Sequence, residues 1–184
     1  VPYIYDILFQ RNNISKKFVN YDFKLFSSFQ DMWNALEEKE AAVKLCRFCT
    51  GYGWPWVSKE DSKKPDIQLE GREIWWNRQT DGWLQNPEAK LEMGSIYSLA
   101  GLDINYAAVI IGPDLIYDIK DQKIKVNRQN YFDNKVKQGV TDEELTAFLL
   151  KTYAVLMTRG ILGTYVYTCD QNLFRYLQRF IPTA

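Results

Sequence analysis

Ala107-Ala108-Val109-Ile110-Ile111 is an apolar run without polar alternation, and Gly112-Pro113 ends it. A strand that is apolar on both faces has to be covered on both faces. That is the situation of a parallel strand inside an α/β sheet, with helices packed above and below. The rest of the chain supplies elements for such a sheet. Residues 21–26 alternate and predict a strand. Residues 28–39 place Met32, Trp33 and Leu36 at helical spacing behind Ser28, an N-cap residue type. Residues 43–48 predict a central strand, stopped by the glycines and proline of Thr50-Gly51-Tyr52-Gly53-Trp54-Pro55-Trp56.

Further along, short strands are predicted at 73–77 and 94–99, and one or two helical turns at 86–91. A hairpin is predicted from 115–119 and 123–126 around Lys120-Asp121-Gln122. The clearest helix is 141–157. Thr141 and Glu144 have the spacing of a capping box, Val140 and Leu145 that of a hydrophobic staple, and Leu145, Phe148, Leu149, Thr152 and Leu156 fall on one face. A strand at 164–167 and a helix at about 171–180 complete an α/β reading with a mainly parallel sheet.

Composition sets the limits. The 184 residues suit one domain, and 46% hydrophobic with 25% charged residues is a globular balance. With 23 basic against 23 acidic side chains the net charge is zero, which excludes a strongly basic nucleic-acid module while leaving room for a local basic patch. Histidine is absent, which removes the commonest general base and zinc ligand. No apolar run is long enough for a membrane span. The start, Val1-Pro2-Tyr3, has neither an initiator methionine nor a signal-peptide pattern, so residues 1–20 read as a lead-in from something upstream and 21–184 as the domain. Cys46 and Cys49 form a C-x-x-C pair, but three residues apart on a strand they point to opposite faces, and no second pair completes a metal site. Reduced cysteines and a cytoplasmic location are the expectation.

Two loops carry polar groups. In one, 94–106, Ser98, Gly101 and Asp103 precede the apolar run. In the other, Thr158-Arg159-Gly160 follows the long helix. In an open α/β sheet such loops lie where ligands bind. Arg159 has two readings: a group reaching an anionic ligand, or a surface cation stabilised at a helix C-terminus. Trp54 and Trp56 likewise read either as a stacking platform for unpaired bases or as packing residues. Lys59, Lys63 and Lys64 either meet phosphates or form a solvated charged loop. A G-x-x-x-x-G-K-[ST] loop is absent, so nothing cradles nucleotide phosphates in the P-loop manner.

Taken together, Ile96-Tyr97-Ser98-Leu99-Ala100-Gly101-Leu102-Asp103-Ile104-Asn105-Tyr106 with Val109-Ile110-Ile111-Gly112-Pro113-Asp114-Leu115 resembles motif V of superfamily 1 helicases. Lys151-Thr152-Tyr153-Ala154-Val155-Leu156-Met157-Thr158-Arg159-Gly160 with Gly163-Thr164-Tyr165-Val166-Tyr167 resembles motif VI. The pattern is similar to the DNA/RNA helicase domain shared by Schlafen proteins and uncharacterised bacterial ATPases. Tyr21 to Ser28 resembles that family's entering strand, and Cys49-Thr50-Gly51-Tyr52-Gly53-Trp54-Pro55-Trp56 its A-G-[FY]-x-W-P-W signature.

The resemblance implies a RecA-like fold, of P-loop NTPase type but without the P-loop, acting as the second motor domain. ATP and Mg2+ would be held by an upstream RecA-like domain of the same protein, so the isolated chain is expected to be inactive. Arg159, with Thr158 beside it, would be the arginine finger. Gly101 and Asp103 would lie near the nucleotide, and Ser98, Trp54 and Trp56 would meet DNA or RNA. No metal ligand is implied. Ala100 stands where the family has Gln, Asp103 where it has Glu, and the family's His is replaced in the Ile96-Tyr97 region. Those positions help couple nucleotide to nucleic acid in related helicases. The alternative is therefore a binding or scaffold module that kept the fold and lost the motor.

Overall fold

A computed structural model describes residues 2–11, 14–78, 82–86, 88–89 and 92–184. Its strands in chain order are β1 (Asp22–Leu25), β2 (Cys46–Thr50), β3 (Ile67–Leu69), β4 (Arg72–Trp76), β5 (Glu92–Gly94), β6 (Ile104–Ile111), β7 (Leu115–Asp118), β8 (Lys123–Val126) and β9 (Gly160–Thr168). The helices are α1 (Pro2–Leu8), α2 (Phe29–Val43), α3 (Asn134–Lys137), α4 (Asp142–Met157) and α5 (Gln171–Leu177). One sheet runs β1-β9-β6-β2-β5-β4-β3, and every neighbouring pair in it is parallel except β3–β4. β7 and β8 form a separate antiparallel hairpin. The fold is mixed α/β with a mainly parallel sheet flanked by helices, as the apolar run requires and as is compatible with a RecA-like domain.

The reason for that run is visible in β6. Ala107, Val109 and Ile111 join the core beneath α1, α4 and α5, while Ala108 and Ile110 join the core beneath α2. Cys49 and Cys46 divide between the same two cores. Burial pushes the Cys46 thiol up to about 12 and raises Cys49 further, so neither is a poised thiolate. α2 begins where expected, with the Asp31 backbone N–H donating to Ser28 Oγ at 3.2 Å. It runs on to Val43, beyond the expected end. Lys44 and Leu45, both at positive φ, then turn the chain into β2, which is why that strand starts at Cys46 rather than at 43.

The capping box of α4 is formed: Glu144 N–H donates to Thr141 Oγ1, and Thr141 N–H donates to the Glu144 carboxylate. Its buried stripe differs from the expected one. Phe148 is 42% exposed, whereas Leu150, Tyr153, Ala154 and Met157 are buried, because α4 also packs on α1 and on the β7–β8 hairpin.

Three further differences shape the site. The strand expected at 94–99 ends at Gly94, and the following residues form turns. Ser95 and Ser98 both donate their hydroxyls to Asn77 Oδ1, and such local side-chain bonds compete with a sheet ladder. The segment 66–76 is a hairpin in which the first strand, β3, had no sequence signal. Residues 2–8 of the expected lead-in form α1, whose Ile7 and Leu8 are fully buried against the domain core. The turns expected at 86–91 fall partly on Pro87, Lys90 and Leu91, outside the described residues.

Candidate functional site

β6 and β9 are parallel neighbours, so the residues just before each strand meet at one end of the sheet. Asp103 precedes β6 and Arg159 precedes β9. Arg159 Nη1 lies 3.5 Å from Asp103 Oδ1, and the Ile104 N–H donates to the Arg159 carbonyl at 3.0 Å. α4 delivers Arg159 from behind. The Val155 carbonyl, at the helix C-terminus, accepts from Thr158 Oγ1 at 2.8 Å and from Arg159 Nε at 3.2 Å. The cation is thus held by the negative end of the helix and by one carboxylate. Gly101, at φ +72, turns the chain towards Asp103 in a conformation that favours glycine. The motif residues Asp103, Thr158 and Arg159 therefore converge, while Gly101 ends the turns that lead to Asp103.

A β-bulge presents them. Between the pairs Ile104–Gly160 and Tyr106–Gly163, β9 has one residue more than β6. Gly160 has no room for a side chain: a Cβ there would lie 1.9 Å from the Gly163 carbonyl oxygen. At Gly163 it would lie 2.5 Å from the Asp22 carbonyl and from Tyr106. The two residues between them, Ile161 and Leu162, are 59% and 41% exposed. Leu102, Val43 and Leu45, at the same ends of β6 and β2, are also exposed. These exposed apolar side chains stand at the same end of the sheet as the arginine–carboxylate pair.

The other candidates lie at the opposite end of the sheet. Ligands of open α/β sheets usually gather at strand C-termini, yet the Arg159 group sits at strand N-termini. At the C-terminal ends lie the Gly51–Trp56 loop after β2, the Ser95–Gly101 turns after β5 and Gly112-Pro113-Asp114 after β6. Trp54 packs its ring over Gly112, where a Cβ would come within 2.8 Å of it. Trp56 is partly buried, edge-on to Trp76 with ring centroids 5.4 Å apart, and Lys59 Nζ lies 5.4 Å from its ring centre. Ser98 is 2% exposed, with its hydroxyl donated to Asn77 at 2.8 Å, so it shapes the loop from within.

Sequence reasoning gave no role to the residue at the centre of this end. Asp114 is fully buried; its Oδ1 accepts from the Tyr153 hydroxyl at 2.7 Å, and Tyr153 Oη accepts from the Gly112 N–H at 3.1 Å. Gly51, Gly53 and Gly112 all close on the carboxyl group. Among the described residues Oδ2 has no hydrogen-bond partner, and neither does the buried Tyr131 hydroxyl that lines the same void of about 10 Å³. Burial, partly offset by the Tyr153 hydroxyl, pushes the Asp114 carboxyl up to about 7. No sequence signal pointed to it: Gly51 and Gly53 stand in one loop and Gly112 in another, and they share a role only because all three touch this one side chain. Among the described residues no group of acids and cysteines is placed to hold a metal ion, and no helix is long and apolar enough to cross a membrane.

Comparison with known proteins gives the family. Residues 2–170 match the family model described as Schlafen group 3, DNA/RNA helicase domain. The chain belongs to this Schlafen-type helicase-domain family. It is also similar to an uncharacterized protein of Saccharomyces cerevisiae, 30% identical over 173 residues, which cover 89% of this chain and 38% of that protein. The chain thus spans well under half the length of that relative. No solved structure matches it.

Proposed function

We propose that this chain is the second RecA-like domain of a superfamily 1 nucleic-acid-dependent ATPase or helicase. Its task is to present Arg159 to ATP and Mg2+ held by a preceding domain of the same protein. The observation that carries this reading is the half-site at the N-terminal ends of β6 and β9. Arg159 and Asp103 stand together there with an exposed apolar rim, while the chain has no P-loop of its own. Phosphoryl transfer depends on placing charge around the transferring group rather than on covalent chemistry by the protein. A guanidinium fork suits phosphate oxygens. When ATP approaches, its phosphate takes the place of Asp103 as partner to Arg159, and Gly101 lets the Asp103 loop give way. Mg2+ would be held by the preceding domain and would supply positive charge at the phosphates there.

DNA or RNA meets the opposite end of the sheet, at Trp54 and Trp56, with Ser98 fixing the neighbouring loop. Tyr153 spans part of this distance. It lies on α4, whose last residues carry Arg159, and it bonds Asp114 beneath the Gly51–Trp56 loop. A second reading draws on Ala100 and on the Arg159–Asp103 pair, which already satisfies part of the arginine: a scaffold that keeps the fold without turnover. The two are separated by phosphate release from ATP by the full-length protein, with and without single-stranded DNA or RNA. Stimulated turnover supports the motor, and its absence supports the scaffold.

A further inference from the structure

The turn at Val57–Lys59, the segment after it and Arg78 beyond β4 border an open cleft of about 540 Å³, lined by Trp56, Ser58, Lys59, Ser62 and Arg78. It is a built site. The buried carboxylate of Asp66 accepts from the Ser58 N–H at 2.7 Å and from the Trp76 N–H at 2.8 Å, which locks the turn to β4. The Ser62 carbonyl accepts from Trp75 Nε1 at 3.1 Å and from Arg78 Nη2 at 3.3 Å. The two cations in the walls rest on aromatic rings: Lys59 Nζ is 5.4 Å from the centre of Trp56, and Arg78 Cζ is 4.4 Å from that of Trp75.

Among the described residues no carboxylate lies within 4.0 Å of the side-chain nitrogens of either cation. Asp61, on the same segment, is paired with Lys64, and buried Glu92 feels the Arg78 charge beyond ion-pair distance as well as a hydrogen bond from the Arg78 backbone. A cleft with one indole face and two cations without ion pairs among the described residues suits an anionic ligand that also carries a flat ring.

We infer that this cleft is a subsite for one nucleotide unit of an unpaired nucleic-acid strand. Its base lies on Trp56, from which the Lys59 ammonium swings aside, and its phosphate lies between Lys59 and Arg78. The inference rests on the nucleic-acid part of the proposed function, and it adds Lys59 and Arg78 as the phosphate partners. A free mononucleotide offers the same chemistry, so the test has to separate the two.

The experiment is binding of a short fluorescent single strand to the full-length protein across a salt series, read by anisotropy, with an unlabelled mononucleotide as competitor. Trp56→Ala is expected to weaken binding about fivefold to a hundredfold, the range for one lost base–aromatic stack. The double variant Lys59→Ala/Arg78→Ala is expected to reduce the slope of log affinity against log salt by about 0.7, one phosphate contact on a single strand, and each single change by part of that. Trp56→Phe should restore most of the loss, and thermal unfolding should match wild type for the two cation variants, whose side chains lie at the surface. Binding and slope unchanged in Lys59→Ala and Arg78→Ala would overturn the cleft while leaving nucleic-acid binding elsewhere on the protein. No strand binding by wild type would overturn the broader reading with it. Competition by the mononucleotide as strong as that of the strand, nucleotide for nucleotide, would reassign the cleft to a free nucleotide.

Discussion

Asn in place of Asp114 should make the protein more stable at pH 8 and leave it nearly unchanged at pH 4. In the unfolded chain an aspartate titrates near 3.9, but in the folded protein this one is held up at about 7 by burial. Below about pH 4 both states carry the proton and the residue contributes no pH dependence. Between about pH 4 and 7 the unfolded chain releases a proton that the folded protein retains, so folding stability falls as pH rises. Above 7 the loss is complete, and three pKa units correspond to about 4 kcal/mol, an upper figure because the site relaxes when it ionises.

Asparagine keeps the acceptor for the Tyr153 hydroxyl. Its amide N–H₂ can also donate into the void shared with the Tyr131 hydroxyl, which the ionised carboxylate cannot do. The nearby Tyr153, Tyr131 and Cys169 are all raised well above this window by burial, and groups common to both proteins cancel in the difference. The assay is urea unfolding of wild type and Asp114→Asn at pH 4, 5.5, 7 and 8. The stability gap should open by several kcal/mol, nearly all of it between pH 4 and 7. A gap that stays constant across the series, or an Asn variant weaker at pH 8, would refute the reasoning.

Three further outcomes follow from geometry. Gly160→Ala should lower the thermal midpoint sharply and cut ATP turnover of the full-length protein, because its methyl group would collide with the Gly163 carbonyl and shift the bulge beside Arg159. Thr141→Ala should cost about 1 kcal/mol in denaturant unfolding by removing the α4 cap, with ATP turnover per folded molecule unchanged. Ile161→Asp should leave the unfolding midpoint of this domain within about 0.5 kcal/mol, since the side chain is exposed. It should nevertheless raise the ATP concentration needed for half-maximal turnover, if the rim faces the preceding domain.

The sheet was legible because its strongest strand is apolar on both faces, and β6 at Ile104–Ile111 has helices on both sides for that reason. α2 and α4 were legible from their caps, Ser28 and Thr141, which act locally. What failed depended on partners distant in sequence. Ser95 and Ser98 leave the ladder because Asn77 waits for them, and Phe148 is exposed because the β7–β8 hairpin rotates the buried stripe of α4. The site was partly legible in the same sense. The motif pattern brought Asp103 and Arg159 together, but their place at strand N-termini, away from Trp54 and Trp56, follows from strand order. The role of Asp114 follows from glycines of two loops, Gly51 and Gly53 in one and Gly112 in the other, that are distant in the chain and adjacent in space.

The most direct test of the central claim is single-turnover ATP cleavage by the full-length protein in the presence of single-stranded nucleic acid, comparing wild type with Arg159→Ala and Arg159→Lys. If Arg159 is the finger, Ala should slow the chemical step by about a thousandfold or more with ATP affinity largely kept, and Lys should recover only part of it. Cleavage at the wild-type rate in Arg159→Ala would contradict the claim and leave Arg159 as a cation that closes the end of α4.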